Sequence, residues 1–392
     1  MKVCYISVFR DGTGYANQAI HNVLAMEAGG IDVAARTISL SQSRNYDKAK
    51  AIDHLEMKDT DGVDVVVQHV LPHLYEYKAG VKNVGLFCWE TTHFSRSNWA
   101  KCCNTMDEIW VPSLQNVAAA RKSGVTVPIK VFPCACDPSR FDDKPEPMNI
   151  AQLKNRCVFY WVGEMTRRKN IVAVLRAFYN AFTIRDDVIL MVKASVPGQP
   201  PAEAQETLKR TTADIKKSMH TYIRHSYYPP VACITEFLPD DKLDQLHMAG
   251  DVFVMASHGE AINIPSMDAM NAGNPVILNN WGFAPELTYR QAAAYWESET
   301  QMFTHPGDID CGWLVNGFLT PCFGHTDSFG DIYTGSESWF EPNICHLSEC
   351  MKQAYAEWEK GDLSKRGKAA KKRVTEFNYD KVGRTARKLL DT

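Results

Sequence analysis

The sequence predicts an α/β fold made of two parallel-sheet domains, and three observations support this prediction. The first third of the chain alternates short apolar runs with helical patterns. A polar, proline-rich stretch over residues 137–147 is then typical of an interdomain linker. A second series of apolar runs and helical patterns follows it. Each series therefore predicts a sheet with helices on both faces.

The predicted strands are short apolar runs bounded by polar or glycine-bearing turns. In the first half they cover residues 3–9, 31–38, 63–67, 84–89, 108–111 and 129–132. In the second half they cover residues 157–162, 188–192, 232–237, 251–255 and 275–278. Ligands bind at the carboxyl ends of the strands in such sheets. Two Rossmann-like halves that face one another therefore predict a cleft at these ends.

Composition limits the class of protein. A chain of 392 residues with 45% hydrophobic and 23% charged residues is typical of a globular protein with two domains. The net charge of -3 gives no general reason to expect a nucleic-acid or membrane partner. The first nine residues predict a strand rather than a signal peptide, and no apolar run is long enough to span a membrane. We therefore expect a cytoplasmic protein.

The cysteines and histidines predict neither disulfides nor a metal site. The 12 cysteines are spread over the chain, and several fall inside predicted core strands, so reduced thiols are expected. Cys102-Cys103 and Cys134-Ala135-Cys136 lack the paired C-x-x-C spacing of a zinc site. His69 and His73 lack the glutamate of a metalloprotease helix. No structural metal is expected.

Two carboxylates flank a turn that opens a helix in the second half. Glu260 follows the strand 251–255, and Asp268 lies about one turn into the next helix. Pro265 suits the first turn of that helix, and Gly273 suits its end. Taken singly, Glu260 could be a surface charge and Asp268 a first-turn acid that balances the helix dipole. As a pair in this setting, they predict a binding site.

The helix start between the two acids predicts a site for an anion. Its first amides, which have no partner within the helix, belong to the segment Ala261, Ile262, Asn263 and Ile264. A diphosphate bound to these amides would have one acid available for the hydroxyls of a sugar and the other for those of a ribose.

Three consecutive cations precede the first helix of the second half. Gly163 comes directly after the preceding strand, and Arg167, Arg168 and Lys169 come just before the helix. Because helix dipoles favour acids at this end, cations there indicate that a phosphate binds. The alternative is that these are exposed residues at a helix start.

The segment 257–277 resembles the motif of glycosyltransferase family 4, a family of retaining enzymes with the GT-B fold. In that motif an acid, seven residues and a second acid lead into an apolar helix and a Gly-x-Pro-Val-Ile strand. Glu260 matches the first acid, and Asp268 replaces the usual second glutamate. Lys169 matches the lysine of the Gly-Arg-x-x-x-x-Lys diphosphate motif of the family, whereas Glu164 occupies its arginine position.

The resemblance implies further contacts in both halves. A Trp-Glu pair and a later D-E-I-W-V-P-S strand resemble a subset of the family, which implies that Glu90 and His69 contact the sugar or the acceptor, with His93 ranked after them. Gly14, in the loop after the first strand, would line the acceptor and diphosphate side of the cleft. Glu286 would lie near the nucleotide.

The resemblance also implies the domain plan. The boundaries are an acceptor-side domain over 1–140, a nucleotide-sugar domain over 141–375, and a helix over 376–392 that crosses back to the first domain. Residues 303–342 lack periodicity and predict a long functional loop. The pattern at 339–342 recurs in the same subset of the family.

The resulting prediction is a retaining glycosyltransferase that moves a sugar from a UDP- or GDP-sugar to an acceptor hydroxyl. Lys169 and Arg168 would meet the charge of the leaving diphosphate, so neither a metal nor another cofactor is expected. Glu260, His69 and Glu90 are the candidate catalytic residues. The sequence predicts no oligomeric state.

Several alternatives stay open. The acceptor is a glycan, a lipid-linked sugar or a small molecule. The basic stretch 209–224 keeps a hydroxylated DNA base as a further possible acceptor, although the acidic net charge argues against nucleic acid. A GT-B epimerase or hydrolase would use the same nucleotide site. So would a non-catalytic protein that binds nucleotide sugars.

Overall fold

The protein divides into two compact units. The computed structural model describes residues 1–39, 47–288, 308–324 and 333–392. The first unit comprises residues 1–137, 321–338 and 376–392, and the second comprises residues 138–320 and 339–375. Each unit is built on one sheet of mainly parallel strands.

The sheet of the first unit has six strands. They are β1 (Lys2–Ser7), β2 (Asp32–Thr37), β3 (Val65–His69), β4 (Lys82–Leu86), β5 (Glu108–Val111) and β6 (Ile129–Val131). Their order is β2-β1-β3-β4-β5-β6, and all neighbours are parallel. Residues of β3 are buried along its whole length, as expected for a central strand covered on both faces. The helices of this part are α1 (Gly14–Ala28), α2 (Asp53–Glu56), α3 (Trp99–Cys103) and α4 (Leu114–Lys122).

The main sheet of the second unit has seven strands. They are β7 (Cys157–Glu164), β8 (Val188–Ser195), β9 (Val231–Ile234), β10 (Val252–Met255), β11 (Val276–Asn279), β12 (Asp308–Ile309) and β13 (Gly312–Val315). Their order is β12-β13-β11-β10-β7-β8-β9, and only β12 is antiparallel to its neighbour. The helices are α5 (Ile171–Ala181), α6 (Pro201–Met219), α7 (Asp240–Ala249), α8 (Ile264–Asn271), α9 (Ala284–Thr288), α10 (Ile344–Glu359) and α11 (Leu363–Val374).

The predicted fold class is confirmed, and each predicted strand overlaps an observed one. The prediction of a long loop over 303–342 is wrong for part of that stretch, because it contains β13 and the two-stranded sheet of β14 (Gly317–Pro321) and β15 (Ser338–Pro342). These strands are short, so they show little periodicity. Residues 303–307 and 325–332 of the predicted loop lie outside the described residues.

The strand order places a switch point in each sheet. In the second unit the chain runs from β7 outward to β9 and then returns to the other side of β7 as β10. The loops after β7 and β10 therefore leave the same edge of the sheet from adjacent strands. In the first unit the equivalent point lies between β1 and β3. In open α/β sheets this is where ligands bind.

The last helix, α12 (Tyr379–Leu390), packs against α1 within the first unit. Its buried Val382, Ala386 and Leu390 join the core of that unit. The two helices approach closely at Gly29 and Gly383, where a Cβ on residue 383 would lie 2.1 Å from the Ala25 carbonyl oxygen. The glycines thus set the distance between the helices.

Gly383→Ala tests this close approach. Alanine favours a helix by about 1 kcal/mol over glycine, so any loss of stability must come from the forced separation of the helices. We expect the free energy of unfolding to fall by about 2 kcal/mol, measured by urea denaturation. The neighbouring exposed substitution Arg384→Ala should change it by less than about 0.5 kcal/mol. Equal stability of the two variants would contradict the packing described here.

A buried polar network ties β7 to α7 in the second unit. The hydroxyl of Tyr160 lies 3.1 Å from His247 Nδ1, and Asn274 Nδ2 donates to the Tyr160 hydroxyl at 2.9 Å and to the His247 carbonyl at 2.7 Å. Burial lowers the pKa of His247 to about 4, although the nearby Asp268 carboxylate raises it. His247 is therefore neutral in the folded protein at neutral pH.

The network makes the second unit sensitive to acid. Because the folded-state pKa of His247 lies below its unfolded value, the unfolded chain binds more protons below about pH 6.5. Stability from this group is complete above that pH and falls by about 1.4 kcal/mol per pH unit down to about pH 4. His247→Asn should reduce this slope in urea denaturation between pH 7.5 and 5. An unchanged slope would show that His247 is not neutral in the folded protein.

Candidate functional site

The loop after β7 has a fixed conformation. Asn170 adopts a left-handed conformation, with φ of 49°, and its side chain accepts a hydrogen bond from the Ala173 amide to cap α5. Thr166 accepts a bond from the Lys169 amide through its hydroxyl, at 3.3 Å. The turn thus presents Arg168 and Lys169 at the start of the helix, where the sequence predicts them.

Three charged side chains meet at the switch point of the second unit. Lys169 Nζ lies 2.9 Å from the carboxylate of Glu260, which follows β10, and Arg168 Nη1 lies 3.3 Å from the same carboxylate. Arg168 Nη1 also donates to the Gly259 carbonyl at 2.8 Å, and the His258 amide donates to the Arg168 carbonyl at 2.8 Å. The fold therefore brings together two motifs that are 91 residues apart in sequence.

The environment of Glu260 favours its charged form. Burial alone would raise the pKa of this carboxyl group, since only 9% of the side chain is exposed. The charges of Lys169 and Arg168 outweigh burial and hold the pKa of Glu260 below its usual 4.5. Glu260 is thus ionised at neutral pH and can accept hydrogen bonds from hydroxyl groups.

The turn between the two acids packs against a small cavity. Asn263 caps α8 by accepting from the Ser266 amide, and Pro265 lies in the first turn, as predicted. Of the residues expected to bind a diphosphate, Ala261 and Asn263 are buried, while Ile262 and Ile264 are half-buried. The cavity is lined by Met255, Ser257, Gly259, Glu260, Asn263, Leu278, Asn279, Trp281 and Ala284. The sequence predicts only Glu260 and Asn263 among them.

Asp268 faces a cation that its position in the sequence does not predict. Its carboxylate lies 3.1 Å from Arg140 Nη1, and Arg140 Nη2 lies 2.5 Å from Asp244 of α7. Arg140 belongs to a short helical turn (Pro138–Phe141), and only 15% of its side chain is exposed. The sequence predicts a polar, proline-rich interdomain linker at this position and does not predict this partner of Asp268.

Arg167 is separated from the other two cations of its turn. Its guanidinium lies 5.2 Å from the ring centre of Trp339, which also stacks on His258 with ring centres 4.4 Å apart. His258 Nδ1 lies 2.9 Å from the Phe340 carbonyl oxygen. Trp339 and Phe340 thus contact residues of the loops after β7 and β10, and the sequence does not predict these contacts.

The remaining residues predicted for the second unit lie near the same edge of the sheet. Gly163 belongs to the end of β7, where a Cβ would lie 2.8 Å from the Trp161 ring. Glu164, in the arginine position of the family motif, is exposed. Glu286 lies half-buried in α9, and its carbonyl oxygen accepts from Arg373 at 2.6 Å.

The residues predicted for the first unit lie around its own switch point. His69 ends β3 and is fully buried, and its Nδ1 lies 3.0 Å from the Tyr5 hydroxyl. Burial lowers the pKa of His69 to about 3, so its ring is neutral. Its Nε2 has no hydrogen-bond partner among the described residues, and its ring packs 4.3 Å from that of Tyr15. Gly14 begins α1, and a Cβ there would meet no atom within 4 Å.

Glu90 does not directly follow a strand, because β4 ends at Leu86. It accepts a hydrogen bond from the Tyr333 hydroxyl, and Tyr333 also stacks on Trp89 with ring centres 5.4 Å apart. His93, the lower-ranked candidate, has its Nδ1 3.0 Å from the Thr92 hydroxyl.

No helix in the described ranges is long and apolar enough to cross a membrane.

Comparisons with known proteins bear on the second unit and on the whole fold. A family model for group 1 glycosyl transferases matches residues 156–309. The chain is also 35% identical over 81 residues to the sulfoquinovosyl transferase SQD2 of Arabidopsis thaliana. That match covers 20% of this chain and 15% of the relative.

Solved structures match over the whole chain. A structure of HepE from Anabaena in complex with UDP and glucose has a TM-score of 0.63 and 12% identity, and the match covers 100% of this chain and 99% of that one. Trehalose-6-phosphate synthase OtsA, which is also recorded from E. coli with UDP-2-fluoro glucose, has a TM-score of 0.65 at 10% identity, with coverage of 100% and 99%. Sucrose-phosphate synthase from Thermosynechococcus elongatus has a TM-score of 0.61 at 15% identity, with coverage of 100% and 98%.

At these identities the structural matches establish the fold. The chain has the GT-B fold, with two Rossmann-like parallel-sheet domains, and residues 156–309 match a glycosyltransferase family.

Proposed function

We propose that this chain is a retaining glycosyltransferase of family 4 that transfers a sugar from a nucleotide diphosphate sugar to an acceptor hydroxyl. The observation that supports this most directly is the group formed by Lys169, Arg168 and Glu260 at the switch point of the second unit. It combines cations for a diphosphate with an ionised acceptor for sugar hydroxyls. UDP is the expected nucleotide, because HepE and OtsA are recorded with UDP or a UDP-sugar.

The difficult step is the departure of the nucleoside diphosphate. As the bond from the sugar C1 to the phosphate oxygen breaks, negative charge grows on that oxygen, and donors already in place stabilise it. Lys169 and Arg168 supply this positive charge, so the proposed reaction uses neither a metal nor another cofactor. The amides of Ala261, Ile262, Asn263 and Ile264 add donors at the start of α8.

Retention of configuration follows from attack on the face that the leaving group vacates. The acceptor oxygen forms the new bond to C1, and its proton passes to the departing phosphate oxygen. Glu260 holds the hydroxyls of the sugar in the orientation that this path requires. Glu286 and Gly163 lie near the nucleotide, and Asp268 holds the ribose.

The first unit is assigned to the acceptor, which is a glycan, a lipid-linked sugar or a small molecule. Because His69 is neutral and fully buried, we assign it no proton transfer, and its contact with an acceptor hydroxyl requires that the ring become accessible. Glu90 is the second candidate contact, and Gly14 leaves room for a ligand at the start of α1. A DNA oligonucleotide with hydroxylated bases is one of the acceptors in the panel below, and it tests the alternative acceptor. We propose a cytoplasmic location, which fractionation of cells that express the protein would test.

A panel of UDP-, GDP- and other activated sugars, each with and without acceptors, tests the proposal. We expect release of nucleotide that depends on the acceptor, with retained anomeric configuration in the product. If no nucleotide sugar binds, the proposal is wrong as a whole, and an inverted product contradicts the mechanism. Turnover without acceptor would indicate an epimerase or hydrolase, while binding without cleavage would indicate a non-catalytic protein.

Glu260→Gln and Lys169→Ala should each lower turnover at least about tenfold, which corresponds to about 1.4 kcal/mol of barrier. The first removes the charge that orients the sugar, and the second removes a cation from the leaving phosphate. Lys371→Ala is the matched control, because it breaks the ion pair of Lys371 with Asp142 in the same unit at 3.1 Å. If both site variants keep normal rates with an intact fold, the site is assigned wrongly.

Lys169→Ala should also change the dependence of kcat/KM on pH. Burial raises the pKa of Glu260, and in the native protein the cations more than compensate. Without Lys169 the pKa of Glu260 should rise, so the fall in activity on the acid side should begin at a higher pH. Glu260→Gln should lose this acid-side dependence. An acid limb that is identical in native protein and Lys169→Ala would show that Glu260 does not govern it.

A further inference from the structure

The second acid of the site is held by an arginine that lies outside the motifs described above. Arg140 lies in the turn Pro138–Phe141, far from Asp268 in sequence, yet its guanidinium contacts Asp268 at 3.1 Å and Asp244 at 2.5 Å. All three side chains are largely buried, with exposed fractions of 15% for Arg140, 11% for Asp268 and 13% for Asp244. Two carboxylates therefore share one cation.

The contact with Arg140 restricts the direction of the Asp268 carboxylate. Two buried carboxylates on either side of one site repel each other unless a cation lies between them. Burial still raises the pKa of Asp244 in spite of its bond to Arg140. A guanidinium can contact both acids at once through separate nitrogens, which a lysine ammonium does with less defined geometry.

The contact with Arg140 restricts a side chain that is shorter than the one in the family motif. Asp268 stands where the family motif has a glutamate, so its side chain is one methylene shorter. A shorter side chain has fewer rotamers, and the bond to Arg140 restricts them further. Arg140 therefore sets the orientation of the Asp268 carboxylate oxygens.

We propose that Arg140 is a positioning residue for ribose recognition: it orients Asp268 so that this carboxylate accepts hydrogen bonds from the ribose hydroxyls of the donor. The inference rests on the proposed function, because it requires a nucleotide at this site. It goes further in naming the residue through which the chain distinguishes a ribonucleotide from a nucleotide without these hydroxyls.

The test compares UDP with 2′,3′-dideoxy-UDP by isothermal titration calorimetry, and GDP and ADP with their dideoxy forms where UDP does not bind. The native protein should prefer the ribonucleotide by at least about tenfold, as expected for a hydrogen bond to a charged group. Arg140→Gln should reduce this preference to less than about threefold while the affinity for the dideoxy form stays within about twofold. Arg140→Lys should give an intermediate preference, because it keeps the charge and loses the geometry.

Arg366→Gln is the matched control. Arg366 lies in the same unit with the same exposed fraction of 15%, and it pairs with Glu357 at 2.7 Å and donates to the Ile309 carbonyl at 2.6 Å. We expect this variant to keep the full preference for the ribonucleotide even if it unfolds at a lower temperature. It thus separates the loss of a buried ion pair from the loss of ribose recognition.

The outcomes distinguish this inference from the function on which it rests. If the native protein binds no nucleoside diphosphate and no nucleotide sugar, the proposed function fails. If it binds them but does not prefer the ribonucleotide, or if Arg140→Gln keeps the preference, the inference on Arg140 is overturned. An equal loss of affinity for both forms in Arg140→Gln would give Arg140 a structural role only and would also overturn it.

Discussion

The buried charge of Glu260 is the constraint on which the site of the second unit depends. An ionised carboxylate with little exposure costs several kcal/mol unless cations and hydrogen bonds compensate it. Lys169 and Arg168 supply that compensation from a neighbouring strand exit. The loops after β7 and β10 must therefore keep the conformations that bring these charges together. The capping of α5 by Asn170 and the packing of Arg167 on Trp339 stabilise the loop after β7.

Much of this arrangement could be predicted from local patterns in the sequence. The apolar runs locate the strands because buried parallel strands need continuous apolar sequence. Cations before the helix of Lys169 indicate an anion site because they oppose the helix dipole. Pro265 and Gly273 locate the ends of α8, and Gly273 indeed has a positive φ of 89°. Each of these signals depends only on residues close together in the chain.

What the sequence does not predict depends on partners that are distant in the chain. The sequence predicts that Arg140 is part of a polar linker, because no neighbouring residue in the chain indicates its contacts with α7 and α8. His69 reads as a strand-end residue in a crevice, whereas it is fully buried against Tyr5 and Tyr15. The strands after Gly312 are too short to produce a periodic pattern. Tertiary contacts, not local propensity, decide these three cases.

The surroundings of the two acids differ in a way that suits different halves of one ligand. Around Glu260, two cations and one carboxylate leave one positive charge, which attracts a diphosphate. Around Asp268, one arginine faces two carboxylates, and this excess of acids repels a phosphate and favours the hydroxyls of a diol. Glu260 lies in the loop before α8 and Asp268 lies within α8, so this difference in charge runs from the loop into the helix. It would orient a nucleotide sugar with its diphosphate toward Glu260 and its ribose toward Asp268. An aspartate in place of the usual glutamate is compatible with the proposed binding of ribose, because the contact with Arg140 restricts the shorter side chain.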